Sequence, residues 1–214
     1  MVLPSVKGAT LVTYFNFNDQ NLVSDAPGAQ TTTATVTRLT PSYVTPGDTS
    51  NIAPGDPIQG TTGNFALHLT PTANGAKSFQ FSISTTGLTD LSLGYATRGS
   101  GFTTETITYT TSGGGTGTIG TVTIASATTF QVPTFDLSGI TALNNQTSVT
   151  FTIAFTPPNS GTFVDLDNIQ LEQVPEPATV VGGLVGTLGL CWHKRQRLIG
   201  IAQLLRFSRK PAIA

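Results

Sequence analysis

Alternation of apolar and polar residues runs through most of the chain and predicts β-strands. Two stretches show it most clearly, residues 77–85 and 148–156. Successive side chains of a strand point to opposite faces, so each stretch would have one buried face and one solvated face. The inward side chains would be Phe79, Phe81, Ile83, Val149, Phe151, Ile153 and Phe155.

Further strands are predicted at residues 11–18, 33–39, 64–70, 91–96, 102–111, 116–125, 129–137 and 162–172. Asn74-Gly75 indicates a hairpin between residues 64–70 and 77–85, and the glycine run at 113–115 indicates a second hairpin. Pro133 places its strand at an edge or a bulge. About ten strands without helical periodicity before residue 178 predict an all-β sandwich of two sheets, of jelly-roll type, in residues 1–173.

Two local details of the body carry further expectations. Leu11, Thr13, Phe15 and Phe17 would share one face of the first strand. Residues 40–63 would form one long loop, which is either a binding loop or a solvated surface excursion.

Composition narrows the classes of function. Only 10% of the 214 residues are charged, and threonine is the commonest residue. Residues 1–174 carry four basic and ten acidic side chains, a formal charge of −6, so the body has no basic surface for nucleic acid. The only cysteine is Cys191, so a hydrophobic core, and not disulfides, must stabilise the fold.

The end of the chain has a different character. Residues 178–192 are uncharged and would span about 22 Å as a helix, against about 30 Å of bilayer hydrocarbon. Trp192 suits the membrane interface, and Lys194, Arg195 and Arg197 would anchor the helix on the cytoplasmic side. We therefore expect a single transmembrane helix, with residues 198–214 as a cationic tail on membrane lipid.

The motif Val174-Pro175-Glu176-Pro177, followed by this apolar segment and basic cluster, resembles a PEP-CTERM sorting signal. Residues 174–197 would form that signal. The resemblance implies export, recognition of Glu176 and its prolines by an exosortase in the inner membrane, and delivery to the cell surface or extracellular matrix. Two features depart from the family pattern: the chain continues for seventeen residues after the cluster, and Met1–Gly8 has no signal-peptide pattern. We expect a signal upstream of Met1 or already removed.

The body would then be structural or adhesive. Its first and last strands, around Tyr14–Asp19 and Val164–Leu171, resemble those of lectin-like and carbohydrate-binding jelly rolls. The alternative is a secreted carbohydrate-binding module, with a polysaccharide as partner, or a glycan-active enzyme with the same tag.

Candidate catalytic and metal-binding residues are few. His68 alternates with Leu67 and Leu69 and is expected to face solvent. Asp165 and Asp167 stand two apart on one strand face, a spacing compatible with an inverting glycosidase pair. Without a second acidic cluster, we predict that the chain is not an enzyme. Carboxylates suit calcium better, so Asp165 and Asp167, with Asp19 opposite them, are the candidate ligands of a structural calcium ion.

Overall fold

Eleven strands make up the described part of the chain, which in this computed structural model comprises residues 9–25, 30–45, 65–156 and 162–174. All of them lie within one unit, Ala9–Val174. The strands are β1 (Thr10–Phe15), β2 (Thr35–Thr37), β3 (Leu39–Val44), β4 (Ala66–Pro71), β5 (Lys77–Ile83), β6 (Leu91–Ser100), β7 (Thr104–Thr111), β8 (Thr116–Thr123), β9 (Thr134–Asp136), β10 (Val149–Phe155) and β11 (Phe163–Gln173). A short 3-10 turn, Thr141–Leu143, precedes β10.

The strands form two antiparallel sheets. The five-stranded sheet has the order β2-β5-β10-β7-β8. The six-stranded sheet has the order β3-β4-β11-β6-β9, and β1 also pairs with β11. The prediction of an all-β, two-sheet sandwich is confirmed, as is the edge position of the strand that follows Pro133.

Apolar side chains from both sheets fill the interior. The seven inward residues predicted in residues 77–85 and 148–156 are all buried in one cluster. Neighbouring aromatic rings of Phe15, Phe17, Phe79, Phe81 and Phe151 have centroids 5.3 to 6.3 Å apart. Edge and offset contacts of this kind add to the free energy gained from burial. The phenylalanine cluster therefore stabilises the fold of a chain whose single cysteine allows no internal disulfide.

The predicted hairpin at Asn74-Gly75 is wrong. β4 belongs to the six-stranded sheet and β5 to the five-stranded sheet, so the chain crosses the sandwich between them. The chain also crosses between β2 and β3, at Arg38, whose φ is +55°. The two crossings meet where the Thr72 amide donates to the Arg38 carbonyl at 3.2 Å. A local turn signal specifies a change of direction, but long-range pairing decides which sheet the next strand joins.

Two other local expectations also change. Residues 40–44 belong to β3 and so are not part of a loop, contrary to the prediction, and residues 46–64 lie outside the described residues. In β1, a bulge opposite β11 between Leu11 and Thr13 brings Val12 into the core with Phe15 and Phe17. An extra residue at a bulge reverses the alternation before it, so the predicted shared face of Leu11 and Phe15 is wrong.

The outer face of the five-stranded sheet accounts for much of the threonine. One row across this sheet reads Thr35, Gln80, Thr152, Thr108 and Thr118, one residue from each strand. None of the outward positions on its described strands is charged. Threonine suits such positions because its branched side chain fits the pleated surface and its hydroxyl stays hydrated.

The C-terminal segments lie beyond the described part of the chain. The proposed sorting signal is described only at Val174, and residues 198–214 are not described. None of the helices among the described residues has the length and hydropathy needed to cross a membrane.

Glu105 connects the two sheets through the interior. It is fully buried on β7, and it accepts hydrogen bonds from Tyr95 Oη at 2.8 Å and from Thr97 Oγ1 at 2.5 Å, both on β6. Burial raises the pKa of Glu105 to about 7, although the two hydrogen bonds lower it. Lys77 lies in the same inward row on β5, with Phe155 between them. A carboxyl with a raised pKa stabilises the fold below its unfolded pKa and loses this contribution as pH rises through its folded pKa.

We predict that the wild-type protein loses stability between pH 5 and pH 8 as Glu105 ionises, and that Glu105→Gln does not show this loss. The free energy of unfolding of the variant relative to wild type should rise over this interval by at most about 3 kcal/mol. Denaturant titrations of both proteins at the two pH values measure the difference. Glu172→Gln, on the half-buried end of β11, removes a carboxyl outside the interior and is the control. A constant difference between Glu105→Gln and wild type would contradict the prediction.

Candidate functional site

A row of polar side chains crosses the outer face of the six-stranded sheet. Ser42 on β3, His68 on β4, Asp165 on β11 and Arg98 on β6 stand opposite one another in the register of four adjacent strands. Neighbouring strands lie about 4.8 Å apart. Side chains on the same face of adjacent strands therefore contact each other directly.

Asp165 is the centre of this row. Its side chain is 1% exposed, and its two oxygens accept hydrogen bonds from His68 Nδ1 at 2.6 Å and from Arg98 Nε at 2.8 Å. Charge-assisted hydrogen bonds of this length are the strong ones. The side chains of His68 and Arg98 keep 22% and 12% of their surface exposed. A buried carboxylate therefore fixes two partly accessible nitrogen-bearing groups.

Aromatic rings pack against both partners of Asp165. Phe163, two residues earlier on β11 and half-buried, stacks on the His68 ring with centroids 5.0 Å apart and an interplanar angle of 28°. The Arg98 guanidinium lies over Phe130, with Cζ 4.6 Å from the ring centroid, and Arg98 Nη1 donates to the Thr128 carbonyl at 3.3 Å. The cluster of Asp165, His68, Arg98, Phe163 and Phe130 is called the outer-face cluster below.

A bulge in β11 sets which residues face outward. Asp167 pairs with Ala96 but Gln170 pairs with Gly94, so β11 has an extra residue there. Asn168 lies within this bulge and has a φ of +49°. Its Oδ1 accepts a hydrogen bond from Tyr14 Oη at 2.6 Å. Asparagine tolerates this left-handed conformation better than most residues. Asp165 thereby faces outward, while the residues after the bulge resume the inward pattern.

The structure corrects the expectation for His68. It does not simply face solvent as predicted, because its ring is held between Asp165 and Phe163. Asp165 and Asp167 do lie on one strand face, but each Asp165 oxygen is engaged by a nitrogen. An acid or base for glycoside cleavage needs a carboxyl free to exchange a proton, and the Asp165 carboxylate is instead held by its two partners.

The three predicted calcium ligands occupy different surroundings. Asp19 lies in the exposed turn after β1, where Asn21 Nδ2 donates to it. Asp165 lies in the outer-face cluster, and the amide of Asn168 donates to Asp167 Oδ1 at 2.8 Å. The described residues contain no group of three histidine, cysteine or carboxylate side chains that could hold a metal ion. The calcium site stays a prediction.

The residues of the sorting motif are described only at their beginning. Val174 is exposed directly after β11, and its amide donates to the Asp90 carbonyl at 2.8 Å. Pro175, Glu176 and Pro177, and the basic cluster of Lys194, Arg195 and Arg197, lie outside the described residues.

Sequence reasoning missed Arg98, Phe163 and Phe130 as site residues. One signal was available for Arg98, which is one of only four basic residues in the body. In so uncharged a chain, an arginine in a strand needs a partner if it is buried. The aromatic residues carried no comparable signal, because a phenylalanine in a strand usually belongs to the core.

Comparison with known proteins informs the fold. No family model matches the chain, and no curated protein matches it. Part of an exo-β-agarase superimposes with a TM-score of 0.51 at 11% identity, covering 78% of this chain and 25% of the agarase. The carbohydrate-binding module TmCBM61, in complex with β-1,4-galactotriose, gives 0.48 at 13% identity and covers 74% of this chain and 94% of that one.

A family 29 carbohydrate-binding module complexed with mannohexaose gives a TM-score of 0.47 at 13% identity, covering 78% of this chain and 93% of the module. At these identities only the fold is shared. The chain is a β-sandwich of the kind found within the agarase.

We predict that Asp165→Ala destabilises the body by about 3 kcal/mol or more, because it leaves the Arg98 charge buried without its carboxylate. Glu172→Ala, on the same strand, should cost no more than about 0.5 kcal/mol. Adding Arg98→Met to Asp165→Ala should recover part of the loss, since removal of both charges leaves none unpaired. Denaturant unfolding of these variants, of the Arg98→Met single variant and of wild type measures these terms, and additive effects of Asp165→Ala and Arg98→Met would contradict the pairing.

Proposed function

We propose that the body is a carbohydrate-binding β-sandwich, and that the outer-face cluster is its binding site. The observation that carries the proposal is the arrangement around Asp165, in which two polar side chains are locked in place and each is packed against an aromatic ring. Rigid groups bind with a smaller loss of conformational entropy than mobile ones.

The chemistry of this cluster suits a sugar. A pyranose ring has apolar C–H faces, which pack on aromatic rings, and hydroxyl groups around its edge, which require directional hydrogen-bonding partners. Phe163 supplies a half-buried ring at the surface, while His68 and Arg98 supply partly exposed side chains that carry nitrogen atoms. A few positioned polar groups beside aromatic surface are the usual composition of small-molecule sites.

The body acts by binding and not by catalysis. Asp165 is committed to His68 and Arg98, so it positions its neighbours and does not transfer protons. Binding of a polysaccharide would explain, in chemical terms, an adhesive role at the cell surface or in the extracellular matrix. A glycan-active enzyme is the second candidate. The engagement of both Asp165 oxygens by nitrogen atoms of His68 and Arg98 weighs against it.

The location of the body follows from the proposed sorting signal. β11 ends at Gln173, and the motif Val174-Pro175-Glu176-Pro177 begins at the next residue. The proline-rich motif separates the folded strand from the apolar segment, since proline stiffens the chain and ends regular pairing. In this proposal the chain is held in the inner membrane by residues 178–192, an exosortase recognises Glu176, and the body then reaches the surface.

We predict that the body, residues 9–174, binds neutral oligosaccharides and that Phe163→Ala weakens this binding by about five- to tenfold through loss of ring stacking. Galactotriose and mannohexaose, which occur in the complexes described above, are the first probes, followed by a glycan array. Isothermal titration calorimetry measures the affinities. Thr118→Ala, on the exposed face of the opposite sheet, is the matched control and should bind like wild type. Lack of binding to every glycan, or equal losses in both variants, would refute the site.

We predict that Glu176→Ala blocks processing of the full chain in a Gram-negative host that contains an exosortase. The chain is expressed with an added signal peptide and a tag after Ala214, and immunoblotting follows its size. External protease on intact spheroplasts should digest the body but spare the tag, because three basic residues within Lys194–Arg197 resist transfer across the membrane. Normal processing of Glu176→Ala, or loss of the tag to external protease, would contradict the sorting proposal. Glu172→Ala is the control, with an acidic residue removed just before the motif.

A further inference from the structure

The charge of the outer-face cluster is already balanced. Arg98 is its one fixed cation, and its Nε lies 2.8 Å from the carboxylate of Asp165, which is 1% exposed. Asp167 occupies the next outward position of β11 and adds a formal negative charge to this face. The body as a whole has a formal charge of −6. An anionic ligand therefore meets no uncompensated cation among the described residues of the cluster.

Arg98 and His68 both offer hydrogen-bond donors beside Asp165. An ionised carboxylate only accepts, so His68 Nδ1, 2.6 Å from Asp165 Oδ1, carries a proton. Arg98 engages Nε and Nη1 within the fold, so Nη2 is left with its N–H donors. A ligand hydroxyl can therefore accept a hydrogen bond from Arg98 without any change in the pairing of Asp165.

The two ligand classes differ in what burial costs them. A hydroxyl group that replaces water as a hydrogen-bonding partner of the cluster loses little hydration free energy, whereas an ionised carboxylate or sulfate loses much more. Arg98 does not compensate this loss, because its charge is already paired with Asp165.

We infer that the outer-face cluster selects neutral sugars over uronic acid and sulfated sugars. This inference rests on the proposed carbohydrate-binding function and specifies its ligand class. Asp165 determines this selectivity by balancing the charge of Arg98.

The test compares β-1,4-linked hexasaccharides that differ only at the sixth carbon. Hexamers of glucose and mannose are titrated into residues 9–174 by calorimetry, beside hexamers of glucuronic and mannuronic acid. Low ionic strength is used because electrostatic attraction is then strongest. We expect the neutral hexamers to bind at least about tenfold more tightly. Equal or tighter binding of the uronic acid hexamers overturns the inference and leaves the proposed function standing. Binding of neither class overturns the proposed function as well.

The variant Asp165→Asn tests the cause of the selectivity. It keeps the shape of the side chain but removes the charge that balances Arg98, so the ratio of uronic to neutral affinity should rise by about tenfold. Asp136→Asn, at the exposed sheet edge, is the matched control and should leave the ratio unchanged. An unchanged ratio in a folded Asp165→Asn protein overturns the charge argument. If thermal melting shows that this variant does not fold, the wild-type comparison of hexamers decides alone.

Discussion

The six-stranded sheet depends on its longest strand, β11, because three other strands pair with it. β6 follows β11 along one side from Phe163 to Gln173, while β4 pairs with its first half and β1 with its second half on the other side. The exchange of partners occurs at the bulge around Asn168, where Tyr14 from β1 reaches the Asn168 side chain. A strand that changes partners needs a point at which its ladder can be interrupted, and a bulge supplies one.

The same bulge permits the site. Before it, Val164 and Leu166 enter the core and Asp165 faces outward, while after it Ile169 and Leu171 are the inward residues. Without the extra residue, the two halves of β11 could not both bury their apolar side chains, because a shift of one residue turns every side chain to the opposite face. The position of Asp165 between His68 and Arg98 is therefore coupled to the packing of the whole sheet.

Two buried carboxyl groups of the body, Asp165 and Glu105, each have defined partners. Asp165 is matched by Arg98 and His68 on the outer face, and Glu105 is hydrogen-bonded to Tyr95 and Thr97 in the interior. Burying such groups costs free energy, so their retention points to specificity of structure or binding more than to stability. The outer face of the opposite sheet, covered by threonine and free of charge on its described strands, lacks such an arrangement.

Local pattern alone determined the strands and the core. The alternation in β5 and β10 identified their buried face correctly, because the side-chain period of a strand is a property of the backbone. The glycine run before β8 and Pro133 before β9 likewise specified a hairpin and an edge, since these residues restrict the backbone wherever they occur. The sorting motif was identified from sequence too and stays a prediction.

Only the tertiary structure decided which strands became neighbours, and with them the site. The residues Asn74-Gly75 predicted a hairpin, yet β4 and β5 belong to different sheets. β4 pairs with β3 and β11, and β5 pairs with β10. His68 and Asp165 are 97 residues apart in the chain, and Arg98 and Asp165 are 67 apart. Their contact follows from the register of β4, β11 and β6. Register is set by the burial of apolar side chains across the whole sheet, which no short stretch of sequence encodes.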